Sequence, residues 1–362
     1  MPLHRTGIHY RPGVRWSRNR AKIESPLLKQ GPIADVMLGN GLHVPIRPEW
    51  VVPILQKLRS TNKPEHEQEF RVDWAGIRTR IPMLPWAPSE LAGTTSDRLP
   101  VPTDGYRSEA EEYVGLALSL TNERANYRIV EVGAGWAPWA VMGVTLAKRL
   151  GKPAVGIAVE ADATRAGWAM QHAFDNGLLP RRVQGTSREM ADQLALADAE
   201  LIVVQAACWF EETTLRFPVL TEDDMGGAVS TDEQASMDYR GAFFDHVEVP
   251  TVTLESLISG DEPTDLLHID LQGRELDVIL PNLELIAQKV RFLAVGTHNR
   301  YVEGMLQEQL LKREWALLME SPCSTFFDGV KPSLTGFTTQ DGNQLYANSR
   351  FRDADPIIIR SC

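Results

Sequence analysis

The amino-acid sequence predicts an α/β fold built on a Rossmann-like, mostly parallel sheet of seven strands. From Ser108 onward, short apolar runs alternate with segments of helical periodicity, which favours a parallel sheet covered by helices on both faces. A glycine-rich turn, "EVGAGWAP" at residues 131–138, follows the first of these runs. Near the end of the chain, Asp341-Gly342 separates two alternating runs and predicts an antiparallel hairpin.

The predicted elements follow one another in a regular order. Apolar runs predict strands at Arg128–Val132, Ala154–Val159, Glu200–Ala206, Leu266–Asp270, Arg291–Val295 and Ala316–Glu320. Amphipathic periodicity predicts helices at Trp139–Leu150, Thr164–Asn176, Glu275–Leu285 and Val302–Arg313. A further helix is expected to begin at Ser108, with Glu111 as its capping-box partner. A parallel sheet that ends in an antiparallel hairpin is the layout of the seven-stranded methyltransferase sheet.

Two regions do not follow this alternation of strands and helices. Residues 1–105 are rich in Pro, Arg and Trp and contain only short periodic segments, so we interpret them as an elaborated α+β subdomain of unknown role. Within it, residues 49–60 favour a helix and residues 70–84 alternate as strands do. Residues 106–362 form the predicted class I methyltransferase domain. An insertion at about 210–250 either shapes a substrate site or is a mobile loop.

Composition limits the partners of the protein. The 362 residues carry a formal net charge of −11, and a surface of this sign repels a polyanion, so no nucleic acid is expected as a partner. No apolar run approaches the roughly 20 residues that span a bilayer, and the three cysteines are widely spaced. We therefore expect a cytoplasmic protein without a membrane partner. The basic residues at 5–22 are interpreted as a solvated arm, with a subunit contact or a site for an anionic group as alternatives, and a homo-oligomer stays open.

The glycine-rich turn distinguishes between nucleotide ligands. Gly133 and Gly135 let the backbone turn and approach a ligand where a Cβ would collide. A dinucleotide site needs a third glycine for close helix packing, but Pro138 stands at that position. The carboxylate of Glu131 would also repel a pyrophosphate. S-adenosylmethionine fits better, because it has a positively charged amino-acid end and no phosphate.

A second acid, Glu160, ends the next predicted strand. A carboxylate at this place can accept hydrogen bonds from both hydroxyls of a ribose. Two acids that end successive strands around one glycine turn favour a cofactor site over an unoccupied turn. The residues predicted to bind S-adenosylmethionine are Glu131, Gly133, Ala134, Gly135, Trp136, Glu160, Ala161 and Asp270.

Three further segments carry a resemblance to a known family. They are "VEVPTVTLESLI" at 247–258, "TDLLHIDLQGRELDVI" at 264–279 and "VRFLAVGTHNR" at 290–300. The chain resembles the FkbM family of methyltransferases, whose members carry a "TLDSL" segment, an "IDVEGAE" motif and a strand that ends near a histidine. The resemblance covers roughly residues 127–318. It implies a seven-stranded α/β fold and transfer of a methyl group from S-adenosylmethionine to a hydroxyl of a sugar, polysaccharide or secondary metabolite.

Several positions match the family's motif. Asp270 and Gly273 match its "ID…G", Glu275 matches the last acid of "GAE", and His298 matches the histidine after the fifth strand. The resemblance therefore places these residues at the site.

Other positions depart from the family pattern. His268 replaces a lysine, Gln272 a glutamate and Arg274 an alanine, and Gly296 stands where an acid is common. These changes remove two carboxylates and add an arginine. Either a different substrate or weakened catalysis would follow.

Each predicted site residue has an expected role. Methyl transfer to a hydroxyl needs the acceptor oxygen to be held and its proton to be removed. His298 is the predicted base, because the unperturbed pKa of histidine, about 6.5, lies near working pH. Asp270 is the second predicted catalytic residue and orients the acceptor, contacts the cofactor or acts as base itself. Glu275 and Arg300 are predicted to bind the acceptor, a small molecule or a glycan, although an acid favoured by the helix dipole and a solvated arginine explain them as well, and capping of the same helix is the alternative for Asp270.

Other site chemistries are weaker alternatives. A magnesium site would need Asp223-Asp224 to fold over Asp270, so no metal is predicted. His268 is expected to pack in the core. The alternative to the enzyme is a catalytically weak or inactive S-adenosylmethionine-binding homologue that acts as an interaction module. A nicotinamide-dependent oxidoreductase is disfavoured by Pro138 and Glu131.

Overall fold

The computed structural model describes most of the chain. The described residues are 51–61, 67–121, 123–184, 199–231, 245–258, 260–325 and 338–351, together with the backbone of short strands at 35–37 and 43–45. The basic segment at 5–22 and part of the predicted insertion, 232–244, lie outside the described residues. Within the described ranges, no helix combines the length and the apolarity that crossing a membrane requires.

Helices and strands alternate along the described residues. The helices are α1 (Val51–Gln56), α2 (Ala110–Leu120), α3 (Pro138–Arg149), α4 (Ala163–Asp175), α5 (Leu254–Ile258), α6 (Glu275–Ile279), α7 (Leu283–Lys289) and α8 (Arg300–Leu311). The strands are β1 (Asp35–Met37), β2 (His43–Pro45), β3 (Phe70–Val72), β4 (Arg78–Arg80), β5 (Thr94–Thr95), β6 (Tyr127–Val132), β7 (Ala154–Glu160), β8 (Pro180–Val183), β9 (Leu201–Gln205), β10 (Ala207–Trp209), β11 (Thr214–Pro218), β12 (His246–Thr253), β13 (Thr264–Ile269), β14 (Val290–Thr297), β15 (Trp315–Ser321), β16 (Ser324–Thr325), β17 (Thr338–Gln340) and β18 (Gly342–Asn348).

The central sheet confirms the predicted fold class. Its eight described strands follow the order β15-β18-β14-β13-β6-β7-β9-β8, and all neighbours are parallel except those of β18, which runs antiparallel between β14 and β15. Helices cover both faces: Ile129 of β6 packs in a cluster with α2 and α3, whereas Val130 packs in a cluster with α5 to α8. The strand beyond the predicted seven is β8, whose sequence "PRRV" has only Val183 fully buried and gives no apolar run.

The antiparallel pairing near the end of the chain is present, but the hairpin predicted at Asp341-Gly342 is wrong. β17, before this turn, pairs with β16 in a separate two-stranded sheet, while β18 pairs with β14 and β15. The physical reason is burial. Every residue of β18 is buried between its two partners, whereas β17 is the partly exposed segment "TTQ".

The capping box predicted for the first helix of the main domain is also wrong. α2 begins at Ala110 with Glu109 at the N-cap position, and no side chain caps it. The Ser108 hydroxyl donates to the Glu109 carboxylate, and Glu111 accepts a 2.8 Å hydrogen bond from the Ser321 hydroxyl of β15. Glu111 is thus buried against the sheet instead of reaching back to the helix start.

The described N-terminal elements pack directly on the central domain. α1 and the Trp74–Ile77 segment share one apolar cluster with α2 and α3. Arg80 of β4 pairs with Asp175 at the end of α4 at 2.9 Å. The division of the chain near residue 105 stays a prediction, and the core is continuous across it.

The described part of the insertion forms a small sheet and a loop. β10, β12 and β11 pair in that order, and the "TLESL" segment at 253–257 joins the end of β12 to α5. Arg165 of α4 donates to the carbonyl oxygens of Thr221 (3.1 Å) and Asp224, which fixes the loop that follows β11. These residues lie over the carboxyl ends of the strands, as expected of an insertion that shapes a site.

Candidate active site

A cavity of about 510 Å³ opens where β6, β7, β9, β13 and β14 end. The carboxyl ends of parallel strands are the usual ligand site of an open α/β sheet, and cavities of a few hundred Å³ suit small ligands. The predicted site residues that line it are Glu131, Gly133, Ala134, Gly135, Trp136, Glu160, Ala161, Asp270 and His298. Glu275 and Arg300 are not among the lining residues.

The turn after β6 requires its glycines. Gly133 has a φ of 75°, and a Cβ there would lie 1.7 Å from the backbone oxygen of Asp270. Gly135 has a φ of 54°, and its Cβ would lie 2.9 Å from the terminal methyl of Met225. At Gly133 the clash is with backbone and excludes a larger residue, whereas at Gly135 it is with the end of a flexible methionine side chain. The turn is therefore held tightly between β13 and the insertion loop.

The Glu131 carboxylate binds the start of α3. It accepts hydrogen bonds from the backbone N–H groups of Trp139 (3.3 Å) and Ala140 (2.7 Å). Burial raises the pKa of Glu131 to about 7. The sequence places this acid correctly at the cavity, and its contact with the methionine end of a cofactor stays a prediction.

The Glu160 carboxylate fixes the glycine turn from the neighbouring strand. One oxygen accepts from the backbone N–H of Gly135 and the other from that of Asp162, both at 2.8 Å. Burial raises the pKa of Glu160 to about 7. Since each carboxylate oxygen has a further lone pair, the group can also accept bonds from the hydroxyls of a ligand.

Aromatic side chains form the wall between the turn and the N-terminal region. The rings of Trp86 and Trp136 lie 5.2 Å apart, and Tyr106 and Trp139 line the same cavity. The Trp136 Nε1–H is buried and has no hydrogen-bond partner among the described residues. Burial lowers the pKa of His172 to about 4, so its ring is neutral and donates from Nδ1 to the Trp136 carbonyl at 3.1 Å. The wall therefore presents a largely aromatic surface to the cavity.

His298 lies among three carboxylates. Its Nδ1 is 2.8 Å from a Glu275 oxygen, and its Nε2 is 3.4 Å from Asp270 and 3.9 Å from Asp341. The side chain is only 2% exposed. Burial alone would lower the pKa of His298, but Glu275, Asp270 and Asp341 outweigh it and raise that pKa to about 9. His298 is therefore protonated at neutral pH, unlike the unperturbed histidine that the sequence led us to expect.

Glu275 positions the histidine. Its Oε1 accepts from the backbone N–H groups of Leu271 (3.1 Å) and Gly273 (2.9 Å) as well as from His298. Burial opposes ionisation, but the His298 charge and these donors hold the pKa of Glu275 below its usual value. Because Glu275 is fully buried behind the ring and does not line the cavity, its predicted contact with the acceptor has no support in this geometry.

Gly296 and Gln272, the two positions where this chain lacks a carboxylate of the family pattern, both lie beside Asp270. A Cβ at Gly296 would lie 3.0 Å from the Asp270 carboxylate, closer than ordinary van der Waals contact, so the glycine leaves room for that carboxylate. The Gln272 amide donates to Asp270 at 2.8 Å. Both residues therefore place the Asp270 carboxylate in the cavity beside His298.

A second buried histidine–carboxylate pair was not foreseen. His268 Nε2 lies 2.5 Å from Glu112 of α2, both line the cavity, and His268 stands beside Glu131 in the sheet. The expectation that His268 packs in the core is right about its burial but misses this pairing. The available signal for Glu112 was an acid directly before the apolar run "YVGLALSL" of α2.

Two further expectations from the sequence concern Arg300 and a metal site. Arg300 is 53% exposed and donates to Glu303 at 3.3 Å, so its predicted role in binding the acceptor has no support here. Within the described chain, the cluster with atoms close enough to share a cation is Asp270, Glu275 and His298. The Asp224 carboxylate, which the magnesium alternative would have needed beside Asp270, accepts a hydrogen bond from its own loop at Gly226.

Comparison with known proteins decides the family. Residues 139–313 match the family model of the methyltransferase FkbM domain. A relative from Jannaschia sp. (strain CCS1), named as a methyltransferase, is 31% identical over 263 residues, which cover 72% of this chain and 88% of the relative. The chain belongs to the FkbM methyltransferase family. Methyl transfer is thus the function of this FkbM-family protein.

Solved structures of other methyltransferases are more distant. An rRNA methylase from Streptococcus thermophilus is 7% identical, with 66% of this chain and 96% of that chain covered and a TM-score of 0.32. A precorrin-6y C5,15-methyltransferase from Geobacter metallireducens GS-15 is 10% identical, with 68% and 92% covered and a TM-score of 0.32. Scores of this size say nothing about the substrate of the FkbM-family chain.

Proposed function

We propose that the protein is an S-adenosylmethionine-dependent O-methyltransferase that acts on a hydroxyl of a sugar, polysaccharide or secondary metabolite. The position of Asp270 carries the proposal. Its backbone oxygen lies against Gly133, and its carboxylate lies 3.4 Å from His298 Nε2. An acid–base pair therefore lies directly against the glycine turn, where a cofactor and an acceptor can meet.

The residues of the cavity fit S-adenosylmethionine. Glu160 offers lone pairs to ribose hydroxyls, and Glu131 offers negative charge to the ammonium group. No phosphate needs to be accommodated beside these acids. When bound, the cofactor supplies a methyl group that is activated for in-line displacement.

His298 is the base in this proposal. Since Glu275 holds the Nδ1–H, the ring loses its proton from Nε2, which faces Asp270 and the cavity. The free Nε2 then takes the hydroxyl proton of the acceptor as the new C–O bond forms. Asp270 orients the hydroxyl and stabilises the imidazolium that results. With a pKa of about 9, removing the first proton costs about 2.7 kcal/mol at pH 7, while the raised pKa makes the neutral ring a stronger base.

The contacts of Asp270 favour an active enzyme over an inactive homologue. Gln272 and Gly296, which suggested lost catalytic acids, bind or accommodate the Asp270 carboxylate. The Glu131 carboxylate at the start of α3 likewise opposes a dinucleotide pyrophosphate at the same place. The geometry therefore supports methyl transfer better than binding alone or hydride transfer.

Calorimetric titration tests the cofactor site. Wild-type protein should bind S-adenosylmethionine but not NAD, and Glu160→Gln should weaken binding about 10- to 100-fold through lost hydrogen bonds to a charged group. The exposed Glu211→Gln serves as the matched control and should bind as wild type does. Equal binding by Glu160→Gln, or binding of NAD, would contradict the site.

Methyl transfer itself is tested with a tritiated methyl donor and a panel of glycosides and polyols. The label should appear in an ether of the acceptor, and His298→Gln and Asp270→Asn should each abolish it while still binding cofactor. Labelling that persists in both variants would remove the acid–base pair from the mechanism.

A further inference from the structure

We propose that Arg274 binds an anionic group of the methyl acceptor, so that the enzyme acts on hydroxyl compounds that also carry a carboxylate or a phosphate. This inference rests on the proposed O-methyltransferase function and names the substrate class of the same site. Among the described residues, three arginines line the cavity: Arg107, Arg165 and Arg274. They differ in whether their guanidinium groups already have partners.

Arg107 is committed to the protein interior. Its side chain is fully buried and pairs with Asp73 at 3.1 Å, and it also donates to Thr79 at 3.1 Å and to the Tyr106 hydroxyl at 2.7 Å. A guanidinium with this many partners supports the cavity wall. It has little capacity left for a ligand.

Arg165 is committed to the insertion loop. In addition to its bonds to two loop carbonyls, it pairs with Asp162 at 3.2 Å and contacts the Met225 sulfur at 3.2 Å. Its role is to hold the loop over the glycine turn.

Arg274 differs from both. Its ion-pair partner is the Asp277 carboxylate at 3.6 Å, a separation beyond a hydrogen bond, and its side chain is 36% exposed. It immediately follows Gly273, where a Cβ would lie 4.0 Å from His298 Cβ. Arg274 therefore lines the cavity next in the chain to a residue close to the base, and its guanidinium has donors available to a ligand.

The other charges at this end of the cavity make the arginine specific for an anion. Glu109 and Asp341 line the same end, so an acidic acceptor is repelled unless a cation binds it. Glu109 is itself satisfied by Ser108 and by the Asn343 amide at 2.8 Å. A guanidinium binds carboxylate or phosphate with two parallel hydrogen bonds, which a neutral acceptor does not offer.

Binding to the protein saturated with S-adenosylhomocysteine tests the inference. The probes are 4-nitrophenyl β-D-glucuronide against 4-nitrophenyl β-D-glucoside, and glucose 6-phosphate against glucose. In wild type we expect at least one anionic probe to bind about tenfold or more tightly than its neutral counterpart. The preference should disappear in Arg274→Gln and persist in part in Arg274→Lys.

Arg313→Gln is the matched control, because Arg313 is also partly exposed and paired with one carboxylate, Glu284, but does not line the cavity. It should keep the wild-type preference. A wild-type protein without preference in either pair, or an Arg274→Gln protein that keeps it, overturns the inference. Binding of S-adenosylhomocysteine is measured first, so its absence reports failure of the proposed function, and the same probe titrations without it still report on Arg274.

Discussion

Removing the charge of Asp341 should lower the pKa of His298 by a measurable amount. The Asp341 oxygen lies 3.9 Å from His298 Nε2, and its side chain is 62% exposed, so the interaction is screened by water. At a dielectric constant near 80, two unit charges at this separation interact by about 1.1 kcal/mol, which corresponds to about 0.8 pKa unit. Asp341→Asn should therefore lower the pKa of His298, about 9 in the wild type, by about 0.8 unit. The neutral fraction at pH 7 then rises about sixfold.

Histidine-selective NMR labelling measures this pKa without knowledge of the acceptor. The protein has eight histidines, and the His298 resonance is assigned by its loss in His298→Gln. Asp223→Asn is the matched control, since Asp223 lines the cavity but is not paired with His298. An unchanged titration in Asp341→Asn, or an equal shift in Asp223→Asn, would refute the assignment of the raised pKa to the local carboxylates.

Three further outcomes follow from the site. The methyl-transfer kcat/KM should rise about tenfold per pH unit between pH 6 and 8 and level off near pH 9, because only neutral His298 accepts a proton; a pH-independent rate would exclude it as the base. Gly133→Ala should unfold at a lower urea concentration than Gly151→Ala. Both glycines have positive φ, but only at Gly133 does an added Cβ meet backbone, at 1.7 Å, so equal unfolding midpoints of the two variants would contradict the close approach. Burial raises the pKa of Glu131 to about 7, so ionisation of this group destabilises the folded state as pH rises from about 4.5 to 7. The Tm of wild type should therefore exceed that of Glu131→Gln by less at pH 8 than at pH 5, and a constant difference would contradict the raised pKa.

Much of the fold could be predicted because buried strands and amphipathic helices leave local patterns. The helix predicted at Trp139–Leu150 is Pro138–Arg149 in the structure, and the strands around the glycine turn were placed equally well. The β8 strand was missed because an edge strand with two arginines carries no apolar alternation. The hairpin prediction failed because strand pairing depends on which partners bury β18, and a local turn signal does not report that.

The site residues, too, could be predicted where a local pattern marks them and were missed where the partner is distant in the chain. Residues at strand ends, such as Glu160 and His298, were predicted because a single β–α unit places them at the edge of the sheet. Glu112 and Asp341 were missed as partners of the two histidines, because they come from segments far away in the chain. The presence of Arg274 was visible in the sequence, but its availability depends on where its potential partners lie.

The position of β18 has a consequence for folding. β14 and β15 both precede it in the chain, yet β18 fills the slot between them. Until it is inserted, β15 has no partner in the central sheet, and β14, whose eight residues are all buried in the final fold, presents an open apolar edge. Such an edge is a template for pairing with another chain. Completion of the sheet by β18 therefore protects the newly folding protein against aggregation, and substitutions that slow this insertion should lower the soluble yield before they affect the stability of the finished fold.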